Sequence, residues 1–247
     1  MYDAVLAETV NLAGHGGDVI EAYTARPLAA GPFGGVVVIH HMPGYDWASK
    51  EITRRFAVEG YNAICPNLHY REAPGASPDD AAAANRAAGG VPDDRFVGDA
   101  EAAMNWLKRL PNANGKVGTI GYCSGGRQSF LAACRLPLDA AVDCYGAFVV
   151  GTPPEGLGIK LTPILDQAEG IGCPMLGLFG AEDTHPSPED VAAIDKRLSE
   201  LGKEHDFHTF EGAGHSFFSV DRPAYRVEAA NKGWELIWEF FGRTLGA

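Results

Sequence analysis

The sequence predicts an α/β fold, in which a mostly parallel sheet of about eight strands starts with an antiparallel hairpin and carries helices on both faces. Three observations predict this fold. Short apolar runs are typical of strands buried on both faces, amphipathic segments of helical period lie between these runs, and the two alternate along the chain. Such alternation implies right-handed crossovers between parallel strands. A length of 247 residues suits one domain over residues 1–247 better than two small ones.

The strand signals begin with the hairpin. Residues 8–12 and 19–25 flank the glycine-rich segment 14–18, which is typical of a turn between antiparallel strands. The buried strands start with the apolar run 35–40. Similar runs predict the remaining strands at 61–65, 117–121, 140–145, 174–179 and 205–210.

The helical signals fill the intervals between these strands. The pattern favours helices over 47–59, 94–110, 127–134, 187–201 and 222–245. The fourth begins with Ser187 as N-cap, Pro188 at the first helical position and two acids in the first turn. Two stretches, 73–92 and 151–172, are expected to be irregular, and the second is a candidate for part of a pocket wall.

Composition limits the classes of partner. A net charge of −12 disfavours nucleic acid and anionic lipid as partners. Five cysteines without a C-x-x-C pair predict free thiols in a reducing compartment. The first 12 residues lack the pattern of a signal peptide, and no apolar run reaches membrane-spanning length. We therefore expect a cytoplasmic protein, monomeric or a small homo-oligomer, that binds a small molecule.

A candidate nucleophile lies at the middle of the chain. Gly121-Tyr122-Cys123-Ser124-Gly125 follows a predicted strand and precedes a predicted helix. This G-x-C-x-G pattern is a nucleophile elbow with sulfur in place of oxygen, and its glycines let the backbones on either side pass closely. The turn also puts Cys123 at a helix N-terminus, which favours a thiolate. The alternatives are a structural cysteine in a glycine-rich turn, or Ser124, which is off-centre in the elbow.

The elbow predicts an acid and then a histidine after later strands. Asp183 follows the strand 174–179, and His215 follows the strand 205–210. We interpret His215 as the base and Asp183 as the acid that orients it; Glu182 is the alternative acid, and ordinary loop residues are the alternative for both positions. The backbone N–H groups of Ser124 and of Met42 are the expected oxyanion-hole donors.

Together these segments make the sequence resemble the dienelactone hydrolases (carboxymethylenebutenolidases), a family with the α/β-hydrolase fold. The resemblance rests on residues 121–126, on Cys65-Pro66-Asn67-Leu68, and on residues 73–75, 180–183 and 214–217. It implies hydrolysis of a cyclic enol lactone, such as dienelactone to maleylacetate, in the catabolism of aromatic compounds. It implies no cofactor and no metal.

The sequence departs from this family at two places. The family carries a glutamate that engages the thiol just after the third strand, where this chain has His41. His41 is expected either to favour the thiolate or to line the substrate pocket. The family also uses two arginines for the lactone carboxylate. Arg86 stands at the first position, but Ser219 lies where the second is expected, so Arg71, Arg95 and Arg222 are candidates to replace it.

Three functions remain open at this point. The leading hypothesis is a cysteine-dependent lactone or ester hydrolase. A general carboxylesterase or thioesterase on the same scaffold is the second, because of the departures at His41 and Ser219. A scaffold that binds a small ligand without catalysis is the third, although all three catalytic positions are filled.

Overall fold

The computed structural model describes residues 1–246, and its centre is an eight-stranded sheet. The strands are β1 (Val5–Ala13), β2 (Val19–Pro27), β3 (Phe33–Ile39), β4 (Asn62–Pro66), β5 (Ala113–Tyr122), β6 (Ala140–Cys144), β7 (Met175–Gly180) and β8 (His205–Phe210). Their order in the sheet is β1-β2-β4-β3-β5-β6-β7-β8. Only the pairs β1/β2 and β2/β4 are antiparallel. The predicted mostly parallel sheet with an N-terminal hairpin is confirmed.

Six helices surround the sheet in the described part of the chain. They are α1 (Trp47–Val58), α2 (Pro78–Ala87), α3 (Asp93–Lys108), α4 (Ser124–Arg135), α5 (Pro188–Glu200) and α6 (Val227–Thr244). The predicted cap of α5 is present: Ser187 and Asp190 exchange hydrogen bonds as a capping box. No helix within residues 1–246 is long and apolar enough to cross a membrane.

The prediction of an irregular stretch over 73–92 was wrong for its middle, because α2 lies there. Ser77 caps this helix by accepting from the backbone N–H of Asp80, and Pro78 occupies the first helical position. This is the same signal that marks the start of α5. The buried side chains of α2 are two alanines and Asn85, so its apolar face is too weak to show a helical period.

The predicted start of the last helix at 222 was also wrong, since α6 begins at Val227. Residues 219–225 form two successive turns, with Arg222 N–H donating to Ser219 and Tyr225 N–H donating to Arg222. Pro223 lacks an N–H group and disfavours helical backbone at the residue before it, which explains the delay.

The core lies on both faces of the sheet. Side chains of β3 alternate: Val37 and Ile39 pack in a cluster with α3, α4 and α5, whereas Val36 and Val38 pack in a cluster with α1 and α6. This two-sided burial is why the strand reads as a continuous apolar run. The carboxyl ends of β3, β5, β7 and β8 meet along one edge, where the predicted site residues follow their strands.

Candidate active site

Cys123 occupies the turn between β5 and α4, in a conformation that few residues adopt. Its φ of 57° is in the left-handed region, which costs a non-glycine residue roughly 1–3 kcal/mol. Two hydrogen bonds hold the turn: Cys123 N–H donates to Cys144 O at 3.1 Å, and Gly126 N–H donates to Cys123 O at 2.9 Å. The thiol therefore stands at the N-terminus of a 12-residue helix, where the partial positive charge stabilises an anion.

The elbow glycines are required by close packing. A methyl group on Gly121 would overlap the backbone of Gly125, and one on Gly125 would overlap the carbonyl oxygen of Ile39 in β3. The backbones thus pass as closely as the G-x-C-x-G pattern predicts.

The structure brings Asp183 and His215 into contact. Asp183 Oδ2 lies 2.8 Å from His215 Nδ1, and its other carboxylate oxygen accepts from His185 N–H at 2.9 Å. Asp183 is buried, while the His215 side chain is 33% exposed on the pocket side. The ring of His215 also packs edge-on against Tyr145, with centroids 5.2 Å apart. The acid therefore fixes the orientation of the imidazole and leaves Nε2 for the pocket.

The electrostatics of the pair favour a charged imidazolium. Burial acts to lower the pKa of His215, but hydrogen bonds with Asp183 and Cys123 and the negative charges of both partners outweigh it and raise that pKa to about 10. The imidazole of His215 can thus carry its proton near neutral pH, beside the thiol of Cys123.

These three residues open onto a pocket of about 410 Å³. The predicted oxyanion donors, Ser124 and Met42, both line it, as does Arg86. Much of the remaining wall is apolar and comes from Phe148 and from the stretch 151–172, which supplies Leu157, Ile159 and Leu161. The pocket can therefore hold an organic substrate against the thiol, with one guanidinium at its edge.

The loop that carries Met42 is fixed by His40. The backbone N–H of Leu68 donates to His40 Nε2 at 3.2 Å, so the ring proton lies on Nδ1 and is donated to His41 O at 2.9 Å. Burial lowers the pKa of His40 to about 4, which keeps the ring neutral. Both hydrogen bonds of this ring are thus used to shape the loop.

His41 is not among the residues that line the pocket with Cys123. It lines a neighbouring pocket with several residues of α1, with Ser219 and with Trp234 of α6. Its Nε2 lies 3.2 Å from Asp46 Oδ2 and 3.3 Å from Arg222 Nη2. Burial raises the pKa of Asp46, but hydrogen bonds from His41 and Ser49 outweigh this and hold it well below its usual range. The expected position of His41 at the substrate is therefore not what the structure gives, because the imidazole is tied to Asp46.

Arg86 is the arginine that lines the catalytic pocket. It is exposed on α2 and forms no ion pair within residues 1–246. Arg71 pairs with Asp99 and Asp18, Arg95 pairs with Glu72 through Nη1, and neither of these two candidates for the second arginine lines the catalytic pocket. Arg222 contacts His41 instead of the catalytic pocket.

Sequence reasoning missed Arg127, a nearly buried residue that fixes the pocket wall. Its guanidinium binds both carboxylate oxygens of Asp93, at 2.7 and 3.0 Å, and donates to the carbonyls of Phe148 and Thr162. It thereby ties the helix that follows Cys123 to two segments of the wall. The local sequence around Arg127 does not predict these contacts, because the partners are 21 to 35 residues away along the chain.

Residues 1–246 contain no group of three or more His, Cys, Asp or Glu side chains arranged to hold a metal ion. The described cysteines are all free thiols.

Comparison with known proteins agrees with this geometry. Residues 20–245 match the model of the dienelactone hydrolase family. A Salmonella typhimurium protein named "Putative carboxymethylenebutenolidase" is 33% identical over 93% of this chain and 85% of its own length. A Pseudomonas putida carboxymethylenebutenolidase is 29% identical over 92% of each chain. The solved structure of a Klebsiella pneumoniae protein described as "Putative Dienelactone Hydrolase" has a TM-score of 0.86 and 28% identity, covering 98% of this chain and 100% of that one.

Proposed function

The chain belongs to the dienelactone hydrolase family, and from this premise we propose that it hydrolyses lactone or carboxylic-ester bonds with Cys123 as nucleophile, His215 as base and Asp183 as the orienting acid. The observation that carries the proposal is the 2.8 Å contact between Asp183 and His215 beside a thiol held at a helix N-terminus. Each of the three groups follows a strand that ends at the same edge of the sheet.

The proposed reaction gives each of these groups one role. The Cys123 thiolate attacks the ester carbonyl carbon, and backbone N–H groups of Ser124 and Met42 stabilise the oxyanion. The imidazolium of His215 then gives its proton to the leaving oxygen as the carbon–oxygen bond breaks, which leaves a thioester on Cys123. His215 next takes a proton from water, whose oxygen attacks the thioester, and the thiolate and the carboxylic acid are released.

Opening of dienelactone to maleylacetate, in the breakdown of aromatic compounds, is the reaction we propose first. The family supports it, and Arg86 offers one cation for the lactone carboxylate. A carboxylesterase for neutral esters is the second candidate. It is favoured by the apolar wall of Phe148, Leu157 and Leu161 and by Ser219, which offers no second charge.

The nucleophile can be tested by selective alkylation. Burial raises the pKa of Cys134 and of Cys173 to about 12, and raises that of Cys65 and of Cys144 as well, so these four thiols stay protonated at pH 7. We expect one equivalent of iodoacetamide to modify Cys123 first. Hydrolysis of cis- and trans-dienelactone and of 4-nitrophenyl acetate should disappear in parallel with that modification, which peptide mapping would follow. Full activity in protein with Cys123 completely modified would exclude it as the nucleophile.

Arg86 can be tested by charge removal. Arg86→Gln should raise KM for dienelactone about three- to tenfold, because one charge-assisted contact to the carboxylate is lost from an exposed position. KM for the uncharged 4-nitrophenyl acetate should change by less than twofold. Arg197→Gln, which changes a partly exposed arginine on α5, is the matched control. Equal changes for both substrates would mean that Arg86 shapes the pocket without binding the anion.

A further inference from the structure

A second, smaller cavity, here called the side slot, adjoins the catalytic pocket. Four residues line both spaces: Met42, Ser124, Ile159 and Leu161. Beyond them the side slot is bounded by Leu68, His69 and Val91 and has a volume of about 40 Å³. Room for one water-sized group takes about 10–15 Å³, so the side slot holds about three non-hydrogen atoms.

The walls of the side slot are mostly apolar, and the imidazole of His69 forms part of them. His69 is 3% exposed, and its Nδ1 has no hydrogen-bond partner among residues 1–246. Burial, together with the nearby His40 and Arg95, lowers the pKa of His69 to about 3, so the ring is neutral. The side slot is therefore bordered by a buried, uncharged imidazole.

The side slot offers no charge to a ligand. Arg127 lines it, and its guanidinium is already used by Asp93 and two carbonyl oxygens. Arg95, whose charge reaches His69, does not line the side slot and pairs with Glu72. An anionic group would lose its hydration here without a free counter-charge. The side slot therefore suits an uncharged chain and rejects a carboxylate.

The position of the side slot relative to the catalytic groups places it on the acyl side of the scissile bond. The leaving oxygen must lie at His215, which protonates it, and His215 borders the main pocket but not the side slot. The side slot opens instead beside Ser124 and Met42, the expected oxyanion donors. The group on this side of the carbonyl carbon is the acyl arm.

We propose that the side slot is an acyl-binding subsite, and that the enzyme prefers esters with a slim, uncharged acyl arm of about three non-hydrogen atoms. This inference rests on the proposed cysteine mechanism, since it places the acyl carbon on Cys123. It extends that mechanism to a substrate class, the short-chain neutral esters, for which Arg86 is not needed.

The test is a series of 4-nitrophenyl esters. We expect kcat/KM to rise about fourfold per methylene from acetate to butyrate, the factor that corresponds to burying one CH₂ group. It should rise no further beyond pentanoate. 4-Nitrophenyl hydrogen succinate, corrected for its spontaneous hydrolysis, should react at least tenfold more slowly than the butyrate. A flat series, or a succinate as fast as the butyrate, would overturn the proposal.

Variants at Val91 locate the effect in the side slot. Val91→Phe fills its far end and should bring the butyrate-to-acetate ratio of kcat/KM close to one. Val91→Ala lengthens the side slot and should raise the hexanoate-to-butyrate ratio; it also decides the matter if the phenylalanine variant does not fold. Val19→Phe makes the same change at an exposed position and should keep the wild-type ratios. Unchanged ratios in both Val91 variants would place the acyl arm elsewhere.

The two proposals fail separately. If Cys123→Ala abolishes hydrolysis of every ester while the length series is flat, the cysteine mechanism stands and the subsite is wrong. If Cys123→Ala hydrolyses these esters at the wild-type rate, the mechanism itself is wrong.

Discussion

Replacing Cys123 by alanine is expected to lower kcat for dienelactone and for 4-nitrophenyl esters by at least about 10⁴-fold, because covalent catalysis then has no nucleophile. The fold should persist, since alanine removes only the sulfur from a partly exposed position. Steady-state kinetics on both substrate types, with circular dichroism as the check on folding, would measure the loss.

Two further variants sharpen this prediction. Cys134→Ala removes a partly exposed thiol from α4, outside the pocket, and should keep near wild-type activity. Cys123→Ser keeps a nucleophilic atom at the same turn. It should still lose at least about 10²-fold, because an alcohol is far harder to deprotonate than a thiol. A Cys123→Ala protein with more than a tenth of wild-type activity would disprove the assignment.

Much of the fold follows from local patterns. The inner strands β3 and β7 are apolar throughout, because both of their faces are covered, and α5 is marked by its cap. The structure shows where such patterns fail. In α2 the buried residues are small or polar, so the apolar residues show no helical period. Before α6, Pro223 delays the start of the helix to Val227. At both places, capping and proline residues decide where the helix begins, and the apolar period does not report them.

The site likewise contains residues whose place the local sequence predicts and residues whose place it does not. That Cys123, Asp183 and His215 lie at one edge of the sheet could be predicted because each stands in the loop after a parallel strand, and such strands bring their carboxyl ends together. Residues that act across longer distances could not. The contact of His41 with Asp46 depends on how α1 begins, and Arg127 joins partners from three different segments. The side slot forms where the segments that carry Val91 and Ile159 meet, and no local sequence pattern indicates this meeting.

The second large effect concerns the acid. Asp183→Asn should lower kcat about 10³-fold, because the amide keeps the shape of the carboxylate but neither fixes the imidazole tautomer nor stabilises its positive charge. The matched control is Asp195→Asn. Asp195 lies outside the pocket, and its Oδ1 is 3.1 Å from His205 Nε2. That variant should keep wild-type kinetics. A loss of similar size in both would point to a general effect of removing acidic residues.

The role of Asp183 also predicts the direction in which the pH–activity profile shifts. Asp183 and Cys123 raise the pKa of His215 from 6.5 to about 10, so the basic limb of the wild-type kcat/KM profile should lie near pH 10 and belong to the Cys123–His215 pair. In Asp183→Asn the histidine loses one negative partner, and this limb should move toward neutral pH.

Stability should change in the corresponding direction. Because the folded pKa of His215 lies above its unfolded value of 6.5, the contact with Asp183 contributes its full stability below pH 6.5 and loses it as the pH rises through about 10. The difference in free energy of unfolding between wild type and Asp183→Asn should therefore shrink over this interval, as measured by urea denaturation at a series of pH values. A difference that is constant from pH 6 to 10, with an unmoved basic limb, would mean that Asp183 holds the loop in place without setting the charge of His215.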